Sequence, residues 1–298
     1  MAQAKLLACD WGTTNLRAWT LDSLGAVVAQ RDFPLGVARL APGEAARRFA
    51  SEVRPGLRAE GLPAVLCGMI GSNLGWTAAP YVDCPAGLLD LAGSMVEVED
   101  GVRIAPGLRC EGIAGSPDVM RGEETQILGW LAQHPERQAG RHLLCHPGTH
   151  AKWVLIEDGR IVRFITAMTG ELFAVLGQHS VLKSAAPAAD DAAFDAGLAA
   201  AGAGDALAAR LFTARARVVG GKARAESTPS YLSGLLIGAE VASVPPLLGK
   251  PPTRVTLLGD AALCARYQRA LVRTGVEAEI FDGEAAAVAG LFALGARQ

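Results

Sequence analysis

The apolar positions of the chain fall into a pattern that occurs twice. Leu6-Leu7-Ala8-Cys9 is a continuous apolar run, Asp10-Trp11-Gly12-Thr13-Thr14-Asn15 interrupts it, and Leu16-Arg17-Ala18-Trp19-Thr20-Leu21 then alternates. Run, glycine turn and alternating run predict a β-hairpin with Asp10 to Asn15 at its tip. A turn at Ser23-Leu24-Gly25 and a third strand over Ala26 to Arg31 extend it into a meander. Gly43 to Leu57 places Phe49, Val53 and Leu57 on one helical face, with Pro55 weakening its end. Pro63 to Gly68 is a buried strand, so the opening order is β-β-β-α-β, the signature of an α/β fold.

The second occurrence begins at the strand Arg141 to Cys145. The turn His146-Pro147-Gly148-Thr149-His150, a strand from Ala151 to Ile156, the turn 157–160 and a strand from Ile161 to Thr166 follow. Two such hairpins predict two related halves facing each other across a cleft. The stretch 96–113 reads as short strands and turns. A helix starts near Glu123, with Ile127, Leu128 and Leu131 apolar, and another opens at Met168 with Thr169 as its N-cap. The Ala-rich stretch 184–221 is expected to be helical, broken at Gly202-Ala203-Gly204. A helix over 230–244 should end at Pro245-Pro246 and Pro251-Pro252. Strand, Gly turn and helix follow from Arg254, then a strand at 277–281 and a small-residue helix at 284–294.

Composition narrows the class. The 298 residues suffice for two domains, half of them are hydrophobic, and the net charge of −2 offers no basic surface for nucleic acid. Neither a leader nor a run of eighteen apolar residues is evident, which predicts a cytoplasmic protein with no membrane partner. The six cysteines are scattered without a C-x-x-C, and Cys9, Cys67 and Cys145 sit in or beside apolar runs as small hydrophobes.

Candidate chemistry gathers at the turns. Gly12 leaves the backbone bare, and the amides and hydroxyls of Gly12, Thr13 and Thr14 are suited to ring an anion. Asp10 is a carboxylate fit to hold hydrated Mg²⁺, and Arg17 adds a planar fork for phosphate or carboxylate. No G-x-x-x-x-G-K-[ST] occurs, so this is not a P-loop. The loop 69–81 follows a buried strand; Ser72 and Asn73 offer hydrogen bonds to hydroxyls, while Trp76 and Tyr81 offer walls for a small polar ligand. Glu123 and Glu124 open a helix behind a glycine, where the dipole alone favours acids, and where a general base would also be well presented. His142, His146 and His150 invite a zinc reading, which the absence of a third-ligand motif disfavours. Gly259 ends a buried strand where a nucleoside can approach the backbone.

Taken in order, these motifs resemble those of the sugar-kinase branch of the actin, hexokinase and Hsp70 ATPase superfamily. The first phosphate motif is similar to Asp10–Arg17, the second to His146–Lys152, and the adenosine motif to Leu257–Ala261. Longer strings, Cys67–Ser72, Ala79–Val82, Met120–Gln126 and Pro147–Trp153, resemble the 2-dehydro-3-deoxygalactonokinase family over nearly the whole chain. The resemblance implies two ribonuclease H-like domains, each a mixed sheet flanked by helices, around an interdomain cleft, with a division into residues 1–114 and 115–298. It implies ATP- and Mg²⁺-dependent phosphorylation of 2-dehydro-3-deoxy-D-galactonate at its 6-hydroxyl. The roles implied are metal binding for Asp10 and phosphate binding for Gly12, Thr13, Thr14, Gly148, Thr149 and Lys152. Gly259, Asp260 and Ala261 would take adenosine, and Met69, Gly71, Ser72, Trp76, Tyr81 and Arg121 the sugar acid. Glu123, or its neighbour Glu124, would be the base, with Arg17 neutralising the γ-phosphate. Glutamate replaces the aspartate of glycerol and xylulose kinases here. Arg121 and Lys152 both remain candidates for the substrate carboxylate. Another 2-keto-3-deoxy acid or sugar as acceptor, a polyphosphate hydrolase, a sugar-sensing homologue and a homodimer stay open.

Overall fold

The structure is a computed structural model that describes residues 3–202, 205–250 and 253–296. Pro251 and Pro252, and Ala203 and Gly204 of the expected helix break, lie outside the described residues. The chain divides into two compact units. The first takes Met1–Arg141, Ile156–Arg163 and Gly283–Gln298; the second takes His142–Leu155 and Phe164–Asp282. This differs from a division after residue 114, because 115–141 packs with the first unit.

In chain order the opening elements are β1 (Leu6–Trp11), β2 (Leu16–Leu21), β3 (Val27–Phe33), α1 (Glu44–Arg48), α2 (Arg54–Leu57) and β4 (Ala64–Cys67). Then come β5 (Tyr81–Asp83), α3 (Leu88–Ala92), β6 (Val96–Glu99), β7 (Val102–Ile104), β8 (Gly107–Glu111), β9 (Pro117–Met120) and α4 (Glu123–Gln133). The first sheet runs β3-β2-β1-β4-β7-β6. Its meander β1-β2-β3 is antiparallel, and β4 and β7 join it in parallel. Trp11, Leu16, Phe49, Val53, Leu66 and Ile70 fill the core on one side. The segment expected as one amphipathic helix is α1 and α2 joined by a π-turn at Phe49–Val53. Pro55 has no N–H to donate, and the widened turn before it absorbs that loss. A small third sheet is β5-β8-β9; β8 falls within the stretch 96–113 expected as short strands and turns, whereas β5 and β9 are too short to show periodicity.

The remaining elements are β10 (Arg141–His146), β11 (Ala151–Glu157), β12 (Arg160–Ala167), α5 (Thr169–His179), α6 (Asp191–Ala201), α7 (Leu207–Val219), α8 (Thr228–Ser243), β13 (Arg254–Gly259), α9 (Ala261–Arg273), β14 (Glu277–Asp282) and α10 (Gly283–Gly295). The second sheet runs β12-β11-β10-β13-β14. In each half, therefore, the third, second, first and fourth strands lie side by side, followed by a further parallel strand. This is the ribonuclease H-like order expected for both halves. The Ala-rich stretch is helical only from Asp191, because Asp190 caps that helix through the Ala193 amide at 2.8 Å.

Close helix packing rests on glycine. A Cβ on Gly129 of α4 would lie 1.9 Å from the Ala286 carbonyl, and one on Gly290 of α10 would lie 2.0 Å from the Thr125 carbonyl. Helices α6 and α8 meet in the same way at Gly197 and Gly234. The stretch Ala225–Leu248 is long and apolar enough to cross a bilayer, but 78% of its most apolar window is buried in the fold.

Candidate active site

The tip of the first hairpin is tied from behind. The Gly12, Thr13 and Thr14 carbonyls accept amides from Val37 (3.0 Å), Ala38 (3.1 Å) and Gly36 (3.1 Å). Among the described residues, the Thr13 and Thr14 amides have no acceptor, and both residues are exposed. The turn thus turns its acceptors inward and its donors outward, which is the polarity an anion cradle needs. Gly36 is required for this, since a Cβ there would lie 2.1 Å from the Thr14 carbonyl carbon.

Beside this turn three carboxylates converge. Asp10, next to last in β1, lies opposite Arg17 in the antiparallel register, and the exposed guanidinium holds its pKa down. Burial outweighs that and pushes Asp10 up to about 6, with the negative charge of Glu123 adding to the rise. Its carboxylate accepts from the Cys67 thiol at 3.9 Å. Glycines allow the approach: Gly68 (φ +88°) lies against Asp10 and Trp11, and Gly122 (φ +107°) against Gly68. Gly122 caps α4, so Glu123 emerges half-buried at the helix start, its carboxylate accepting the Arg121 amide at 3.1 Å. Glu124 is wholly buried. It accepts the Gly122 amide at 2.7 Å and the Thr125 hydroxyl at 3.1 Å, and burial with the neighbouring Glu123 pushes it up to about 8. Of the two glutamates, Glu123 is the one whose charge is felt at Asp10.

The 69–81 loop folds on itself through Trp76 N–H to Ile70 C=O (2.8 Å) and Ala79 N–H to Gly71 C=O (2.9 Å). Met69 and Trp76 pack on the core, the Trp76 ring 5.5 Å from Phe49. Ser72 accepts the Leu74 amide. The Arg121 guanidinium lies over the Tyr81 ring at 4.4 Å and donates to the Ala79 carbonyl at 2.8 Å, and a Cβ on Gly71 would lie 2.9 Å from its Nη1. Its Nε and Nη1 are buried with no hydrogen-bond partner among the described residues. Two orphaned donors on a cation are costly unless a ligand can take them up.

The second unit repeats the device. The Thr149 carbonyl accepts the Glu171 amide at 3.0 Å, and a Cβ on Gly170 would lie 2.4 Å from the Gly148 carbonyl. The Gly148 and Thr149 amides have no acceptor among the described residues. His150, next in line, bonds Glu171. Thr169, expected as a helix cap, is instead the first helical residue, and its side chain hydrogen-bonds Glu240. A cavity of about 110 Å³ lies among Gly148, Thr169, Gly170, Leu263 and Tyr267. Leu263 is in the first turn of α9, just past Gly259, Asp260 and Ala261. The Asp260 carboxylate caps that helix through the Leu263 amide at 2.8 Å, so this side chain already serves the fold. Lys152 is buried in β11. No group of three metal-ligating side chains occurs among the described residues.

Sequence reasoning missed Gly36, Gly170 and Glu240. The first two carry no local signal; the third is the single charge in α8.

The 2-dehydro-3-deoxygalactonokinase of Escherichia coli K12 is 38% identical over 290 residues, covering 97% of this chain and 96% of that protein. A crystal structure from Sinorhizobium meliloti, described as a candidate 2-dehydro-3-deoxygalactonokinase, superposes with a TM-score of 0.85 at 37% identity over 97% of each chain. The activator of 2-hydroxyisocaproyl-CoA dehydratase from Clostridium difficile shares the fold at a TM-score of 0.51 and 14% identity, over 99% of this chain and 96% of its own. Residues 10–294 match the family described as 2-keto-3-deoxy-galactonokinase, and the chain belongs to that family.

Proposed function

We propose that the protein transfers the terminal phosphoryl group of ATP to the 6-hydroxyl of 2-dehydro-3-deoxy-D-galactonate, in galactonate breakdown in the cytoplasm. The observation that carries this is the outward-facing donor turn at Thr13–Thr14 beside the Asp10–Glu123 pair. Phosphoryl transfer needs positioning and charge stabilisation more than covalent chemistry from the protein. The bare amides of Thr13, Thr14, Gly148 and Thr149, with the threonine hydroxyls, are donors for phosphate oxygens, and Gly12, whose amide bonds the Asn15 carbonyl at 2.9 Å, shapes the first turn. Arg17 supplies positive charge at the first turn, and Gly259 and Ala261 leave room for a nucleoside near the cavity by Leu263.

Glu123 accepts the proton of the attacking hydroxyl. It is preferred over Glu124, whose carboxylate is enclosed and already bonded to Gly122 and Thr125. Asp10 fits a hydrated Mg²⁺: it is an oxygen donor beside the phosphate turn, with a weak thiol contact and burial that disfavours its bare charge. The ion would neutralise phosphate charge there. Arg121, more than Lys152, meets the substrate carboxylate, because its Nε and Nη1 lack acceptors whereas Lys152 is enclosed in a strand. Tyr81 orients that guanidinium from below, while Gly71 and Ser72 shape the loop beside it.

A coupled ADP-release assay tests the reading with three acceptors in parallel: the galactonate-derived 2-keto-3-deoxy acid, its gluconate-derived counterpart and a neutral hexose. Turnover with the first at the highest kcat/KM is expected. Preference for the second moves the assignment to another acid kinase, and turnover with none favours a sensing homologue.

A further inference from the structure

Glu240 is the one charged residue in helix α8, and it is 5% exposed. A carboxylate so enclosed destabilises a fold unless donors surround it. Three do. Trp153 Nε1 donates to Oε1 at 2.7 Å, Tyr267 Oη donates to Oε2 at 2.8 Å, and the Thr169 side chain hydrogen-bonds it as well. The three come from three different elements, β11, α9 and α5, so one carboxyl group ties four elements together.

Each tie leads toward the second donor turn. Trp153 lies on the strand that leaves Gly148–Thr149. Thr169 precedes Gly170, which lies against the Gly148 carbonyl. Thr169 and Tyr267 both line the cavity between that turn and Leu263. We propose that Glu240 is a positioning residue for nucleotide: without touching it, the carboxylate fixes the backing of the Gly148–Thr149 turn and the wall of the neighbouring cavity. This rests on the reading of Gly148–Thr149 as a phosphate turn. A hydrophobic residue of similar size would fill the same space, so the charge is explained by the three donors it aligns.

The test compares the full-length wild type with Glu240→Gln, Thr169→Val and Thr169→Ser. ADP affinity is measured by calorimetry, and KM for ATP and for the sugar acid by steady-state assay. Loss of one charged acceptor should raise the ADP Kd and the ATP KM about tenfold in Glu240→Gln. The sugar-acid KM should move by less than about twofold, since its contacts lie elsewhere. Thr169→Val should reproduce the effect and Thr169→Ser, which keeps the hydroxyl, should restore affinity. If Glu240→Gln does not fold, the Thr169 pair decides. Unchanged nucleotide affinity in these variants, or an equal rise of both KM values, overturns the role of Glu240 while the kinase reading stands. A wild type that binds no ADP overturns both.

Discussion

Adjacent glutamates at one helix start meet opposite environments, and this separates their roles. Glu123 is half-buried and close enough to raise Asp10, whereas Glu124 is sealed behind the helix cap. Glu123→Gln is expected to lower kcat by about 10²-fold or more while ATP affinity is retained, measured by steady-state kinetics and nucleotide titration. Glu124→Gln should leave more activity than Glu123→Gln; the reverse order would move the base by one residue. Glu124 also predicts a pH dependence of stability. Its folded-state pKa is raised from 4.5 to about 8, so the folded protein holds this proton more tightly than the unfolded chain. The resulting stability is present below about pH 4.5 and is lost as the pH rises toward 8. Thermal melts of wild type and Glu124→Gln at pH 5 and pH 8.5 should therefore show the variant gaining ground at the higher pH. Parallel curves would contradict the assignment.

At the level of elements, two glycines hold the donor turns in shape from segments remote in sequence. Gly170→Ala places a methyl where the Gly148 carbonyl stands, at 2.4 Å, and should raise the ATP KM at least about tenfold by displacing the turn. Gly290→Ala acts on a different link. It separates α10 from α4, the helix that presents Glu123, and overpacking of this kind costs about 1–3 kcal/mol. A lowered Tm together with a lowered kcat, and little change in ATP KM, is the expected outcome. These elements also show where sequence reading succeeds. The hairpins and their Gly–Thr tips were legible because apolar runs and glycine turns are local signals. Gly36 and Gly170 were not, because their role exists only once a distant carbonyl lies against them. Trp76 shows the same limit from the other side: an aromatic in a loop reads as a ligand wall, but its ring packs against Phe49. Glu240 was open to detection, since a lone charge in an apolar helix asks for a reason.

Across the whole molecule, the same strand order appears in both sheets, each with a donor turn after its first strand and a parallel strand beyond. A kinase built this way should spare ATP from water until its acceptor is bound. ADP release without sugar acid is expected to be a small fraction of the rate with it; comparable rates would argue against a kinase. The repetition made the fold class legible early, whereas the grouping of segments into units was not, because it depends on where the last helix packs.

That last helix has a consequence for how the protein is made. The first unit joins segments far apart in sequence, so α4 and the strands β1 and β4 wait for residues 283–295 before their packing is complete. A ribosome that has not yet reached residue 283 therefore carries a half whose helix partner has not been synthesised, with the Gly129 face of α4 open to solvent or to a chaperone. Loss of residues 283–295 should then be felt first at Glu123, which α4 presents from a distant part of the sequence.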